Sequence, residues 1–320
     1  MNNGQRENDV VILAGARTPF GNFGGALRQV SAVDLAVAAS KGAIARGGIP
    51  AERIDDVVFG NVVHTSSDAI YLARHIALKA GLPIDVPALT LNRLCGSGLQ
   101  AIISAAQSLM LGETTYALAG GTESMSNAPH VIRGARWGLA RGQGGMEDSL
   151  WEALVDSYGN IAMAITAENL ASQYGISREA SDEFALASQA KALASAASGY
   201  FTEEIVSIEV PGAKGSVSVV DRDEGPRAGL TMEKLAKLPA RFKKDGVVTP
   251  ANASGITDGA AAVVLTTLKQ AKADGVLLDG KVGGLGRGRC RPLDHGDRPR
   301  VFDSQSTQSG GHVAARYEGD

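Results

Sequence analysis

Cysteine is scarce in this chain: only Cys95 and Cys290 occur among 320 residues. Two thiols cannot build the disulfide framework of a small secreted protein, so we expect a reducing compartment and predict a cytoplasmic location. Aromatic residues make up 5% of the sequence, whereas glycine contributes 40 residues. The composition thus favours tightly packed helices and sheets whose backbones approach each other closely.

A strong excess of one charge is also missing. Lys and Arg total 31 and Asp and Glu total 34, which gives a formal net charge of −3. Without a basic surplus, nothing predicts a nucleic acid or a membrane as partner. No stretch approaches the roughly 20 uninterrupted apolar residues of a membrane span. The segment from Met1 to Asp9 is polar and has no apolar signal core, so we expect no secretion.

Short apolar runs alternate with helical patterns from Val10 to Gly121, and this alternation predicts an α/β domain with a largely parallel sheet. The predicted strands are Val10–Ala14, Ile54–Phe59, Ala88–Leu91 and Tyr116–Ala119. The predicted helices are one that begins after Ser31 and ends at Gly47–Gly48, then Tyr71–Ala80, and then Cys95–Leu111.

The alternation lapses after Gly121 and resumes near Val248. Residues 126–245 contain Gly-rich loops, basic residues and at least two helices, one of which begins after Ser177. We predict that they form an inserted loop domain. The apolar run Ala260–Leu265 is expected to rejoin the first sheet, so the α/β domain comprises residues 1–125 and 246–275. Hydrophobic periodicity vanishes in residues 276–320, where we expect a disordered tail.

The strongest chemical signal is the segment LNRLCGSGLQA at residues 91–101. A strand ends, Cys95 follows, and a helix begins within a few residues. A helix N-terminus stabilises a thiolate, which makes Cys95 a candidate nucleophile. Gly96 and Gly98 leave room beside the sulfur for a substrate and for a neighbouring segment. The alternative is a buried, inert cysteine, and the residues alone favour neither interpretation.

A nucleophilic cysteine needs a base and an oxyanion site. The histidines before the tail are His64, His75 and His130. Each is more often an ordinary surface or core residue than a base, so none is assigned that role. From the residues alone, the prediction is a reactive cysteine on an α/β fold.

The segment around Cys95 resembles the nucleophile motif of the thiolase family, and four further segments resemble that family in the same order. They are ILAGARTPFG (12–21), AGGTESMSNAPH (119–130), MAITAENLA (163–171) and VVTPANASGITDGAAAVVL (247–265). The resemblance covers about residues 8–275. It implies a thiolase-like layered αβα N-terminal domain with an inserted loop domain.

The resemblance also implies an activity. Thiolases are acyl-CoA C-acyltransferases that cleave 3-ketoacyl-CoA with CoA, or condense two acetyl-CoA, through an acyl thioester on a cysteine. Cys95 stands at the acyl-accepting position, and its backbone N–H would belong to an oxyanion site. Coenzyme A is implied as a co-substrate, acyl-CoA molecules as binding partners, and no metal or permanently bound cofactor.

Four residues match CoA-contacting positions of the family. Arg227 corresponds to the arginine beside the adenine end, Ser254 to a serine that binds the pantetheine arm, and Phe242 and Met163 to apolar groups near the pantetheine and the acyl tunnel. Their alternative roles are a solvated arginine, a turn serine and two core residues. Short-chain members have histidine where this chain has Ala162, which favours a broader range of 3-ketoacyl-CoA substrates.

Other matched positions are interpreted structurally. Glu123 and Glu168 are expected to be buried and hydrogen-bonded. The arginines Arg133, Arg136 and Arg141 form a basic loop, which in the family contributes to tetramer contacts or lies near the CoA phosphates; a solvated loop is the alternative.

The family's C-terminal half carries three more motifs: Asn-Glu-Ala-Phe, Gly-His-Pro and Cys-x-Gly-Gly-Gly. None of them occurs here, and neither Cys290 nor His295 matches them, so both are left without a role. We therefore expect that the second half is missing through truncation or a frame shift, and that activity is impaired. With that half present, the family would predict a homodimer or homotetramer.

Two rival functions follow from the same sequence. One is a ketoacyl-synthase-like condensing enzyme, although that class typically has serines after its cysteine, unlike CGSGL. The other is a non-catalytic thiolase remnant that binds only CoA or a partner.

Overall fold

A computed structural model of the chain describes residues 7–212, 215–276 and 280–281. These residues form 13 strands, eight α-helices and five short 3-10 helices. The strands are β1 (Val10–Arg17), β2 (Gly21–Asn22), β3 (Asp56–Gly60), β4 (Ala88–Leu91), β5 (Tyr116–Ser124), β6 (His130–Val131), β7 (Glu147–Asp148), β8 (Val155–Asp156), β9 (Ile161–Ala162), β10 (Ile208–Pro211), β11 (Val217–Val220), β12 (Thr257–Thr267) and β13 (Gly280–Lys281). The helices are α1 (Ala32–Gly47), α2 (Leu72–Ala80), α3 (Ser97–Leu111), α4 (Ser149–Leu154), α5 (Met163–Tyr174), α6 (Arg178–Ala197), α7 (Met232–Ala236) and α8 (Leu268–Asp274).

Seven strands form the main sheet, in the order β13-β1-β12-β5-β3-β4 with β2 paired to β12. β3 is parallel to β4 and to β5, whereas β12 is antiparallel to both β1 and β5. The prediction of a largely parallel sheet is therefore wrong for the β1 side. The reason is that β12 comes from a distant part of the chain and enters between β1 and β5. The predicted return of Ala260–Leu265 to the first sheet is confirmed.

Helices cover both faces of this sheet. Residues of β5 show the division: Tyr116 and Leu118 pack in a core with α1, α2 and α8, while Ala117 and Ala119 pack in a second core with α3. Successive side chains of a strand point to opposite faces, so one apolar strand serves two cores. The result is an αβα arrangement with α3 on its own face.

The ends of the helices follow local signals in the sequence. The Ser31 hydroxyl accepts a hydrogen bond from the Asp34 backbone N–H at 3.0 Å, and Gly48 ends α1 with φ of 63°. Ser177 caps α6 in the same manner, accepting from the Ala180 N–H at 3.1 Å. A side-chain acceptor at the N-cap satisfies one of the free N–H groups of the first turn. The predicted starts of these two helices are confirmed.

The segment between β5 and β12 contains α4–α7 and three small two-stranded sheets. The domain boundaries at 126 and 245 stay predictions. Beyond the predicted boundary at 275, β13 pairs with Val11 and Ile12 of β1. Apart from residues 276, 280 and 281, the predicted tail lies outside the described residues, and Cys290 and His295 lie there with it.

Helix α3 is predominantly apolar, with serine and glutamine as its polar residues. The stretch Leu94–Leu111 has a mean hydropathy of 1.3 and would be long and apolar enough to cross a membrane, although the core helices of many proteins meet the same test. One side of α3 packs on the sheet through Ala101, Ala105 and Leu109. The other side leaves Leu99 and Leu111 more than two-thirds exposed.

A hydrogen-bonded carboxylate fixes the end of α8. Asp274 accepts hydrogen bonds from Arg53 Nη2 at 2.9 Å, from the Tyr116 hydroxyl and from Gln270 Nε2 at 2.5 Å. These bonds, with that from Arg53 contributing most, hold the pKa of Asp274 well below its ordinary value of 3.8. On the other side, burial followed by the bond to Asp274 raises the pKa of Tyr116 to about 12.

We expect this carboxylate to make folding acid-sensitive. A depressed pKa in the folded state contributes stability that is present above the unfolded pKa and is lost as the pH falls below it. Asp274→Asn should therefore lower the melting temperature near neutral pH and flatten its fall on acidification below about pH 4. Thermal melts from pH 7 to 3 would measure this against the exposed control Asp221→Asn. If the melting temperatures of wild type and Asp274→Asn fell in parallel as the pH decreased, Asp274 would not be a source of the acid sensitivity.

Candidate functional site

Segments that the sequence singles out lie at one end of the strands of the main sheet, which we call the rim. The carboxyl ends of β3, β4 and β5 all lie at this rim because the three strands are parallel. β12 runs the opposite way and begins there, with Asp258 opposite Ser124 at the end of β5. Cys95 follows β4 and Ser254 precedes β12, so the topology places both residues at the same rim of the sheet. Ligands of α/β sheets typically bind outside the carboxyl ends of the strands.

Cys95 lies in the turn between β4 and α3 and is exposed. Helix α3 begins at Ser97 with Gly96 as its N-cap, two residues later than predicted. Cys95 thus precedes the helix rather than opening it. An inert cysteine packed into the core, the alternative left open by the sequence, is not what the structure contains. The exposed thiol leaves the sulfur accessible to a substrate, which a nucleophile requires.

Two glycines in the sheet allow α3 to start close to the strands. A Cβ on Gly60 would lie 2.7 Å from Ser97 Cβ, and one on Gly121 would lie 3.3 Å from Gly98 Cα. A Cβ on Gly98 itself would meet nothing within 4 Å. The close approach expected from the glycines beside Cys95 therefore depends on glycines in β3 and β5. Sequence reasoning missed them, although β3 ends in glycine and β5 contains a Gly-Gly pair.

Glu123 holds the backbone that follows β3. Its carboxylate accepts hydrogen bonds from the Val62 N–H at 2.5 Å and from the Val63 N–H at 3.2 Å. Burial raises the pKa of Glu123, and the two backbone hydrogen bonds oppose this shift. Both of its oxygens accept from backbone donors. The expected hydrogen bonds of Glu123 are thereby confirmed, whereas its expected burial is not, since the residue is half-buried.

One of the three candidate histidines, His75, has a partner other than the thiol. His75 lies on α2, with Nδ1 at 3.1 Å from Asp68 Oδ2, and its ring stacks on Tyr71. His64 and His130 are exposed. The structure thus pairs His75 with Asp68 rather than with Cys95.

The four residues matched to CoA contacts are all accessible. Arg227 and Ser254 are exposed, and the side chains of Met163 and Phe242 are each about two-fifths exposed, at 43% and 41%. Ser254 Oγ donates a long hydrogen bond of 3.4 Å to the Gly255 carbonyl. Because Met163 and Phe242 are both this exposed, their alternative role as core residues is not supported.

Helix α6 holds the loops that carry two of these residues. Asp182 is buried and accepts hydrogen bonds from Arg178 Nε at 2.7 Å and from Asn252 Nδ2 at 2.8 Å. Asn252 stands two residues before Ser254. On the same helix, Gln189 Oε1 accepts a hydrogen bond from the Arg227 backbone N–H at 2.8 Å. The positions of Ser254 and Arg227 are therefore both fixed by α6.

Helix α5 contains Met163 and contacts the segment next to Phe242. Met163 is its first residue, and Glu168 one turn later is buried. The Glu168 carboxylate accepts from the backbone N–H groups of Val247 and Val248 at 3.0 and 2.8 Å. The Arg241 N–H donates to the Val248 carbonyl, and Phe242 is the next residue after Arg241. Glu168 is buried and hydrogen-bonded as predicted.

In the parts of the chain that the structure describes, no group of three or more His, Cys, Asp or Glu side chains is arranged to hold a metal ion.

Comparison with known proteins identifies related sequences. The family model described as the N-terminal domain of thiolase matches residues 10–269. Human mitochondrial 3-ketoacyl-CoA thiolase is 48% identical over 259 residues, which are 81% of this chain and 65% of that protein. The acetyl-CoA acetyltransferase of Pseudomonas aeruginosa is 47% identical over 269 residues, which are 84% of this chain and 68% of that protein.

A solved structure supports the same assignment. Human mitochondrial 3-ketoacyl-CoA thiolase in complex with CoA superposes with a TM-score of 0.81 at 44% identity, covering 87% of this chain and 69% of that one. The predicted fold class is thereby confirmed. This chain spans 65% of the length of the human relative, and the rest of that relative has no counterpart in the match. With a family model matching residues 10–269, the chain belongs to the thiolase family and carries its N-terminal domain.

Proposed function

We propose that this chain supplies the nucleophile and the CoA-binding loops of a thiolase, an acyl-CoA C-acyltransferase. In this proposal Cys95 accepts the acyl group, and Arg227, Ser254, Phe242 and Met163 contact CoA. The observation that supports it is the topology of the sheet: the exposed Cys95 after β4 and Ser254 before β12 lie at the same end of the strands, with β5 and β3 between them. A relative at 44% identity was solved with CoA bound.

The chemistry proceeds in two steps. The Cys95 thiolate attacks the ketone carbon of a 3-ketoacyl-CoA, and the bond between that carbon and the α-carbon breaks. The electron pair stays on the α-carbon, which takes a proton and leaves as acetyl-CoA. The thiol of a second CoA then attacks the thioester on Cys95, and the acyl group moves to CoA while the cysteine is restored. Run in reverse, the same steps condense two acyl-CoA molecules.

Turnover by these 320 residues is expected to be slow, because the motifs that supply the family's base and second cysteine do not occur in them. The first step leaves a covalent product on Cys95 that can be detected even when turnover is slow. The proposal is therefore best tested on the covalent intermediate rather than on multiple turnovers.

Incubation with acetoacetyl-CoA, followed by peptide mass analysis, tests the proposal directly. We expect an acetyl thioester on the Cys95 peptide together with release of acetyl-CoA. Cys95→Ala should abolish it, and the control Cys290→Ser should leave it unchanged. CoA binding without an acyl form of Cys95 would indicate a non-catalytic remnant. Decarboxylation of malonyl-CoA would instead indicate a ketoacyl-synthase-like enzyme.

Assembly into a homodimer or homotetramer, expected when the second half of the family's fold is present, is part of this proposal. β4 is the last strand at one side of the main sheet, and Leu89 in it is half exposed. An exposed apolar edge strand is a ready surface for pairing with another chain. Sedimentation velocity would measure the mass, and a monomer at micromolar concentration would contradict it. The human relative is named as mitochondrial, and the cytoplasmic location predicted for this chain stays a proposal.

A further inference from the structure

The turn that carries Cys95 contains an unusual backbone conformation. Leu94, the residue before it, has a positive φ of 50°. Among the described residues, the other non-glycine residues with positive φ are Asn160 and Asp245. Asn and Asp tolerate this left-handed region better than other side chains, whereas leucine gains nothing there. Something in the surroundings must hold Leu94 in this conformation.

Two side chains hold the peptide groups on either side of Leu94. Asn92 Oδ1 accepts from the Leu94 N–H at 2.9 Å. Ser97 Oγ donates to the Leu94 carbonyl at 2.6 Å and accepts from the Arg93 N–H at 2.8 Å. The N–H before the Leu94 Cα and the C=O after it are thus both fixed, which fixes its φ and ψ together.

Ser97 does not act as an ordinary helix cap. The hydroxyls that cap α1, α6, α7 and α8 accept from an N–H three residues further along the chain. The Ser97 hydroxyl instead accepts from an N–H four residues earlier, and α3 has no side-chain cap. It is also 5% exposed, beneath the exposed turn. Its hydrogen bonds therefore stabilise the turn and not the helix.

The turn is also joined to the sheet. Asn92 Nδ2 donates to the Val62 carbonyl at 3.4 Å, and the Val62 N–H donates to the Glu123 carboxylate. Gly60, two residues earlier, brings β3 against Ser97. The conformation of Leu94 is thereby set relative to the strands as well as within the loop.

We propose that Asn92 and Ser97 are positioning residues for Cys95: together they hold Leu94 in the left-handed conformation, so that the thiol stands exposed at the start of α3. This inference rests on the proposed function, in which Cys95 accepts the acyl group. Asn92 and Ser97 each act through the backbone of Leu94, which directs the Cα–Cβ bond of the next residue.

Glycine at position 94 provides the decisive test, because glycine adopts positive φ without the penalty that a Cβ imposes. The rate of alkylation of Cys95 by iodoacetamide would be measured from pH 6 to 10 by peptide mass analysis, which separates Cys95 from Cys290. We expect Ser97→Ala to lower the rate at pH 7 about tenfold. Asn92→Ala should lower it by about threefold, since one of two restraints remains.

The rescue separates positioning from a general loss of structure. Leu94→Gly combined with Ser97→Ala, or with Asn92→Ala, should return the rate to within about twofold of Leu94→Gly alone. Leu94 is 64% exposed, so its removal takes little from the core. Ser108→Ala, on the same helix, is the matched control and should alkylate like wild type. Thermal melts of every variant report on folding separately.

Two results would overturn the inference. One is an alkylation profile of Ser97→Ala and Asn92→Ala that matches wild type. The other is a double variant with glycine at 94 that stays as slow as the single variant. If the rescue succeeds but acetoacetyl-CoA leaves no acyl group on Cys95, the positioning role stands and the proposed function fails.

Discussion

Gly60→Ala is expected to lower the free energy of unfolding by about 3 kcal/mol, near the upper end for an added methyl group in a packed core. The new Cβ would lie 2.7 Å from Ser97 Cβ and from the Ser97 carbonyl carbon. Part of that contact is backbone in the first turn of α3, which cannot rotate away as a flexible side chain could. The helix must therefore shift from the sheet, and the Cys95 turn must shift with it.

Urea denaturation of Gly60→Ala would measure the stability, and acylation by acetoacetyl-CoA would measure the effect on the site. Gly98→Ala is the matched control, since a Cβ there meets nothing within 4 Å and alanine favours the helix. We expect the control to be as stable as wild type or more so. Equal stabilities for the two alanine variants would show that α3 does not approach β3 as closely as described.

Asp182→Ala is expected to cost about 3–5 kcal/mol, the range for removing one partner from a buried ion pair. The Asp182 side chain is 2% exposed, and its loss leaves the Arg178 guanidinium, itself 20% exposed, without its carboxylate. Asn252 loses a hydrogen-bond acceptor at the same time. Because Asn252 precedes Ser254 by two residues, CoA binding should weaken together with stability.

Calorimetric titration with CoA and urea denaturation would be run on the same preparations. Glu183→Ala changes the next residue of α6, which is exposed, and should alter neither quantity. If Asp182→Ala loses stability while its affinity for CoA stays that of wild type, α6 does not position Ser254. The contribution of Asn252 would then lie in folding alone.

Much of the fold follows from local patterns in the sequence. Strand β4 begins and ends where its apolar run predicts, and Ser31 and Ser177 cap helices as hydroxyls before an apolar run commonly do. These signals are local, because a cap or a strand end depends on residues a few positions apart. The direction of β12 is not local, and the wrong prediction of a largely parallel sheet came from that strand.

The residues of the candidate site likewise include some that local sequence patterns indicate and others that they do not. Cys95 is visible in the sequence because a strand, a cysteine and a helix follow one another within a few residues. Arg227 and Ser254 carry no such signal, and only the family motifs around them pointed to CoA. The contacts that hold them, from Gln189 and Asp182, join positions 38 and 70 residues apart. No pattern along the chain indicates such pairs before the helices are packed.

The place of β12 in the sheet also determines when the protein can fold during synthesis. The Thr18 hydroxyl accepts from the Ala260 N–H, a hydrogen bond between residues 242 positions apart. Until β12 has left the ribosome, β1 and β5 both present open strand edges to neighbouring nascent chains. Contacts of such long separation also form slowly. The rim that holds Cys95 is therefore completed only after nearly all of the described chain has been made.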